Sequence, residues 1–97
     1  MAPERPIALT DKVWWSPDQV GASLGENVML LSILTGRYYQ LDEISSDIWQ
    51  RLEHPIRVAD LCSELKTAYS GDAQEVEQDI IELLGKLEEE QLIQRGS

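Results

Sequence analysis

The hydrophobic pattern changes period at Asp42, and this change limits the architecture more than any other feature of the chain. Before it, Val20, Ala22 and Leu24 share one face at period two, "NVMLLSIL" (27–34) is a nearly continuous apolar run, and "RYYQL" (37–41) follows Thr35-Gly36. Alternation and short apolar runs bounded by turn residues mark strands. After Asp42 the spacing becomes helical. Ile44, Ile48, Trp49 and Leu52 line one face, Val58, Leu61, Cys62, Leu65 and Tyr69 a second, and Val76, Ile80, Leu83, Leu84 and Leu87 a third.

The breaks between these runs carry turn and cap chemistry. "GEN" (25–27) and Thr35-Gly36 are turns, the second with a glycine for the positive φ of a tight hairpin. Asp42 is an N-cap, Pro55 stops the first helix, Ser70-Gly71 ends the second, and Asp72 with Glu75 resembles a capping box. Gly85 inside the third helix costs up to ~1 kcal/mol relative to alanine, a cost expected to serve close approach of a neighbouring backbone. A further extended stretch is expected near Val13–Trp15, and "QLIQRGS" is expected to end as a frayed tail. Short connections make the strands an antiparallel meander. The expected fold is therefore α+β and winged helix-turn-helix-like: a three-stranded antiparallel sheet followed by three α-helices. The 97 residues read as one domain, with residues 1–12 a flexible tail.

Charge removes one function that this shape commonly serves. Eighteen acidic residues against eight basic ones leave a net charge of −10. The third helix, the one a winged helix would place in a DNA groove, carries Asp72, Glu75, Glu77, Asp79, Glu82, Glu88, Glu89 and Glu90 against Lys86 alone. Phosphate contacts need lysine and arginine, so nucleic acid is excluded as a partner.

Catalytic and metal chemistry are also missing. One histidine, His54, stands beside Pro55 as a helix-end polar residue, and one cysteine, Cys62, sits in an apolar helical stripe. No cysteine pair, dinucleotide glycine pattern or phosphate-binding loop occurs. The chain is expected to be non-enzymatic, with no cofactor and no metal. "VMLLSIL" is far too short to span a bilayer, so no membrane association is expected, and a lone cysteine fits a cytoplasmic protein.

Binding through a surface remains. The third strand of a meander pairs on one side only, and its other edge offers free N–H and C=O groups to an incoming strand. Residues 37–41 carry neither lysine nor proline to blunt that edge. Arg37, Tyr38, Tyr39, Gln40 and Leu41 are therefore candidates for peptide capture, with Val76, Asp79, Ile80, Leu83 and Leu87 as the opposing helix wall. Tyr38 is expected to face the peptide, while Tyr39 and Leu41 face the core. Asp79 and Glu82 read as a solvated helix face or as partners of basic peptide side chains. Of Trp14 and Trp15, one is expected over the core and the other beside the peptide. The plainer alternative is an ordinary sheet edge or a dimerisation surface.

The stretch "LLSILTGRYYQLDEISSDIWQRL" (30–52) resembles the PqqD-like family of precursor peptide recognition elements. The family's strand, turn and helix-start pattern falls on Thr35, Gly36, Tyr38, Tyr39, Leu41, Asp42, Ile48 and Trp49. "VADLCSEL" (58–65) and Asp79-Ile80-Ile81 continue it, over residues 20–93 in all. Ser45-Ser46, where relatives carry Gly-Ala, and Arg57, where many carry threonine, depart from the pattern. The resemblance implies binding of the leader of a ribosomally made precursor peptide as a strand added to the third strand, beside the third helix. It is similar above all to the stand-alone recognition proteins of lasso-peptide pathways. That implies two partners, a cysteine-protease-like leader peptidase and an ATP-dependent macrolactam cyclase. A peptide chaperone for a radical SAM enzyme is the alternative.

Overall fold

The structure, a computed structural model, describes residues 6–25, 27–69 and 71–96. Residues 1–5 of the expected tail, Glu26 of the expected turn, Ser70 at the expected helix end and Ser97 lie outside the described residues. The element order is β1 (Lys12–Trp15), β2 (Gln19–Leu24), β3 (Asn27–Ser32), β4 (Tyr38–Leu41), α1 (Glu43–Gln50), β5 (Ile56–Arg57), α2 (Val58–Ala68), α3 (Ala73–Glu89) and β6 (Ile93–Gly96).

The expected meander is β2-β3-β4, antiparallel throughout. Leu30 lies opposite Gly21 on one side and Tyr39 on the other. Period-two alternation buries Val28, Leu30 and Ser32, while Met29 and Leu31 face outward. The β3–β4 connection is longer than the Thr35-Gly36 pair suggested. Ser32 N–H donates to the Arg37 carbonyl at 3.0 Å and Gly36 N–H to the Ser32 carbonyl at 2.8 Å, so Ile33 and Leu34 leave the strand and join the loop. Gly36 holds φ 72°, the left-handed conformation that favours glycine.

The helices complete the winged-helix-like α+β arrangement expected: α1 packs on β3 and β4, α2 on α3 and β5, and α3 also on β6. Asp42 caps α1 by accepting from Ser45 N–H at 2.8 Å, and Asp72 caps α3 by accepting from Gln74 N–H at 2.9 Å. The core gathers Val13, Leu30, Leu52, Leu61, Leu65 and Leu84, each fully buried. Burying such an aliphatic side chain contributes about 1.5–3 kcal/mol. Trp15 stacks on Trp49 with ring centroids 5.2 Å apart and donates its indole N–H to the Trp49 carbonyl at 2.8 Å. Cys62 is buried in the same core, as its helical stripe suggested. Ile44, grouped with the core face of α1, is instead exposed.

A second sheet, β5-β1-β6, was not expected in full. The stretch near Val13–Trp15 is its central strand, and the supposedly frayed end supplies β6, with Val13 opposite Arg95 and Trp15 opposite Ile93. Strands this short give no readable period, and the partners lie too far apart in sequence to suggest each other. Residues 6–11 pack as well: Ile7 and Asp11 are buried. The carbonyls of Asp11 and Leu9 accept from Val58 N–H at 2.8 Å and Ala59 N–H at 3.0 Å. This backbone capping replaces the side-chain cap that Arg57 does not make. The Arg57 guanidinium reaches back to the Thr10 carbonyl at 2.8 Å.

Two details of α3 differ from expectation or add to it. A Cβ at Gly85 would meet nothing within 4 Å, so no neighbouring backbone approaches it. Past the C-terminus, Leu92 N–H donates to the Leu87 carbonyl at 2.9 Å and Gln91 N–H to the Glu88 carbonyl at 3.0 Å. This is a Schellman turn, with Gln91 at φ 61° in the place usually taken by glycine.

Candidate functional site

Among the described residues β4 pairs with β3 alone, and no strand covers its other side. The ladder identifies which groups face that side. Arg37 is bonded to Ser32, and bonded and non-bonded pairs alternate along an antiparallel ladder, so Tyr39 and Leu41 turn their backbone groups toward β3. The N–H and C=O groups of Tyr38 and Gln40 are directed at the open edge. That edge forms one wall of a groove of about 560 Å³, lined by Tyr38, Tyr39, Gln40 and Leu41 on one side and by Leu83, Lys86, Leu87, Glu89, Glu90 and Leu92 on the other.

The residues at the base of the groove are held by packing and by two hydrogen-bonded contacts. Tyr39 points inward against the core and its hydroxyl donates to the Glu90 carboxylate. Glu90 also meets the Arg37 guanidinium at 3.8 Å, so the residue before β4 and Tyr39 within it both reach the end of α3. Burial, and then the Glu90 carboxylate beside it, pushes the Tyr39 phenol above its ordinary value, so it stays a neutral donor at physiological pH. At the other end of β4, Ser46 is buried in α1; its hydroxyl accepts from Val28 N–H at 2.8 Å and donates to the Leu41 carbonyl at 3.3 Å. Val28 and Leu41 face each other in the register, so this hydroxyl stands within a rung of the β3–β4 ladder.

The structure divides the candidate residues between two places. Tyr38, Tyr39, Gln40, Leu41, Leu83 and Leu87 share the groove, and Arg37 stands on its rim through Glu90. Val76, Asp79 and Ile80 line a neighbouring cavity of about 250 Å³ with Ile44, Ile48, Leu65 and Tyr69. Ile80 is buried in the core, whereas Asp79 is exposed. Tyr38 is 70% exposed, the outward member of the tyrosine pair. Trp15 covers the core, but Trp14 lies on the second sheet, its indole donating to Gln94 at 3.1 Å.

Lys86, Glu89, Glu90 and Leu92 were missed. The three charged residues entered only as charges of the third helix, and Leu92 belonged to the supposed tail. The cue for Glu90 was its place one turn beyond Lys86 and Leu87 on the groove-facing side of α3. Chemically, the groove offers edge backbone groups, an apolar floor and a mixed-charge rim, a combination suited to an extended peptide. No group of three or more His, Cys, Asp and Glu side chains able to hold a metal ion occurs among the described residues. No helix among them is long and apolar enough to cross a membrane.

Comparison with known proteins places the chain. The family profile described as "Coenzyme PQQ synthesis protein D (PqqD)" matches residues 27–93. The chain belongs to the PqqD family. Two solved structures are similar to it. "TbiB1 in Complex with the TbiA(beta) Leader Peptide" is 32% identical with a TM-score of 0.78, over 84% of this chain and 94% of that one. "Lasso peptide synthetase B1 complexed with the leader peptide" is 27% identical with a TM-score of 0.72, over 84% of this chain and 96% of that one. A sequence comparison with curated proteins finds no match.

Proposed function

We propose that this chain is a non-catalytic cytoplasmic module that binds the leader segment of a ribosomally made precursor peptide. The leader adds as a strand to β4 at Tyr38 and Gln40, inside the groove closed by Leu83, Leu87 and Leu92. The module then delivers the precursor to a leader peptidase and an ATP-dependent macrolactam cyclase of lasso-peptide biosynthesis. The observation that carries the reading is the open β4 edge built into an apolar groove wall. The two similar proteins described with leader peptides support it. Delivery to a radical SAM enzyme is the second reading, favoured by the coenzyme PQQ description of the matched family.

Titration of the chain with a synthetic leader encoded beside its gene should give a saturable change in tryptophan fluorescence, with the peptide's mass unchanged. Gln40→Pro tests the strand itself. The Gln40 N–H faces the open edge, so proline removes a group offered to the peptide and leaves the β3–β4 ladder bonded. Binding should weaken roughly tenfold or more, as expected when a main-chain bond and its geometry are lost together. Equal affinity in that variant, with wild-type circular dichroism, would place the peptide on another face.

A further inference from the structure

Three charged side chains that do not line the groove meet one another behind it. The Arg95 guanidinium on β6 reaches the Glu88 carboxylate of α3 at 2.8 Å through Nε, and the Asp11 carboxylate at 3.5 Å through Nη1. The Arg95, Glu88 and Asp11 side chains are only 14%, 17% and 3% exposed. Glu88 Oε1 is buried without a hydrogen bond among the described residues, which leaves Arg95 as the group that compensates this carboxylate. Charges so far from water are kept only when paired, and removing one partner leaves the others uncompensated. Arginine suits the place, because its planar fork stays charged and offers separate donors to two carboxylates.

Each member belongs to a different part of the chain. Asp11 accepts from Ala8 N–H at 2.9 Å through its carboxylate and from Val58 N–H at 2.8 Å through its carbonyl, so it is fixed to the start of α2. Arg95 lies opposite Val13 across the β1–β6 pair. Glu88 stands in the last turn of α3 with groove residues around it: Leu87 and Glu89 adjoin it, and Glu90 and Leu92 follow. Glu90 is the residue that receives the Tyr39 hydroxyl and meets Arg37. One side chain of this turn is thus anchored to the second sheet, while its neighbours form the wall that faces β4.

We propose that Arg95 is a positioning residue for the peptide groove: by holding Glu88 against Asp11 and the second sheet, it sets the rotation of the last turn of α3. The proposal rests on the reading of the β4 edge as the peptide site. Arg95 does not line the groove and acts through Glu88. The Schellman turn hands the chain from α3 to β6, so residues 88–95 form a loop bonded by backbone near its start and spanned by this ion pair. Rotation of the last turn would swing Glu90 away from Tyr39, and Leu87 and Leu92 away from the β4 edge. The Glu88–Arg95 contact opposes that rotation. Lysine at the same place keeps the charge but is a compact point charge on a flexible stem, so it does not hold Glu88 and Asp11 in the same geometry.

The test uses the full chain and the synthetic leader, with Arg95→Lys, Glu88→Gln and, as a control, Cys62→Ala, which loosens the buried core on α2 away from this contact. Leader affinity should fall roughly threefold or more in Arg95→Lys and in Glu88→Gln. The double variant should lose little beyond either single one, because both act on one contact. In the free protein the Tyr39 ring resonances should shift in both variants, as Glu90 moves, and stay at the wild-type positions in Cys62→Ala. Wild-type leader affinity in Arg95→Lys and Glu88→Gln overturns the proposal. An equal loss in Cys62→Ala at matched stability also overturns it, since the effect would then belong to general stability. A wild-type chain that binds no leader fails the groove reading itself, whereas unmoved Tyr39 resonances in the free variants fail the positioning, so the two failures are read separately.

Discussion

The Ser46 hydroxyl takes the hydrogen bond that Val28 N–H would otherwise give across the strand pair, at 2.8 Å. It passes its own proton toward the Leu41 carbonyl at 3.3 Å, so a helix side chain completes the last rung beside the peptide edge. Ser46→Ala strands a buried N–H, at a cost of about 1–3 kcal/mol. Urea denaturation should show that loss. Amide exchange should show faster opening of β4 than of α2, and leader affinity should drop with it.

The Tyr39–Glu90 contact is expected to respond to alkali. The Tyr39 value is raised in the folded chain, first by burial and then by Glu90. A raised value gives stability that is fully present below the unfolded-chain value near 10 and is lost as pH rises through the higher folded value. Leader binding should therefore weaken above about pH 10. Tyr39→Phe should bind more weakly at neutral pH and lose the part of this alkaline response that Tyr39 provides. A Tyr39→Phe variant with the wild-type profile would remove Tyr39 from the groove's support.

Gly85→Ala is expected to stabilise the protein. The added Cβ enters open space and the helix gains about 0.5–1 kcal/mol from alanine's higher propensity. Thermal unfolding should shift upward by several degrees for a domain of this size. A decrease would mean that the added methyl group meets a neighbour after all, against the open space around Gly85.

Gln91→Gly should also stabilise. Gln91 holds a left-handed conformation at φ 61°, which costs a non-glycine residue about 1 kcal/mol. Glycine removes that cost while keeping both Schellman bonds. The denaturation midpoint should rise without a change in the m-value.

What could be read from the chain was what local chemistry repeats. The period change at Asp42, the caps at Asp42 and Asp72 and the glycine turn at Gly36 each act within a few residues, and each stands where its pattern placed it. The groove was half legible. Tyr38 to Leu41 declared an edge strand, and the α3 stripe declared an apolar face. Helical spacing alone did not divide that stripe between groove and neighbouring cavity, which depends on how α3 crosses β4 and α1. Ser46 stood out only as a departure from the family pattern, and its role stayed hidden because a serine in a first helical turn reads as ordinary surface. The second sheet stayed hidden because β5 has two residues and β6 pairs with the far end of the chain. The carbonyls of Leu9 and Asp11 cap α2 through backbone atoms that any residue carries.

The pairing of β1 with β6 also has a temporal side. Trp14 and Gln94 are 80 residues apart, and a ribosome adding about 5–20 residues per second needs about 4–16 s to produce that interval. The β2-β3-β4 pairs are local and are expected to close before those of the outer sheet, which need β6. Trp15 and Val13 therefore await Ile93 and Arg95 through synthesis of the intervening chain, and β6 seals β1 when it arrives.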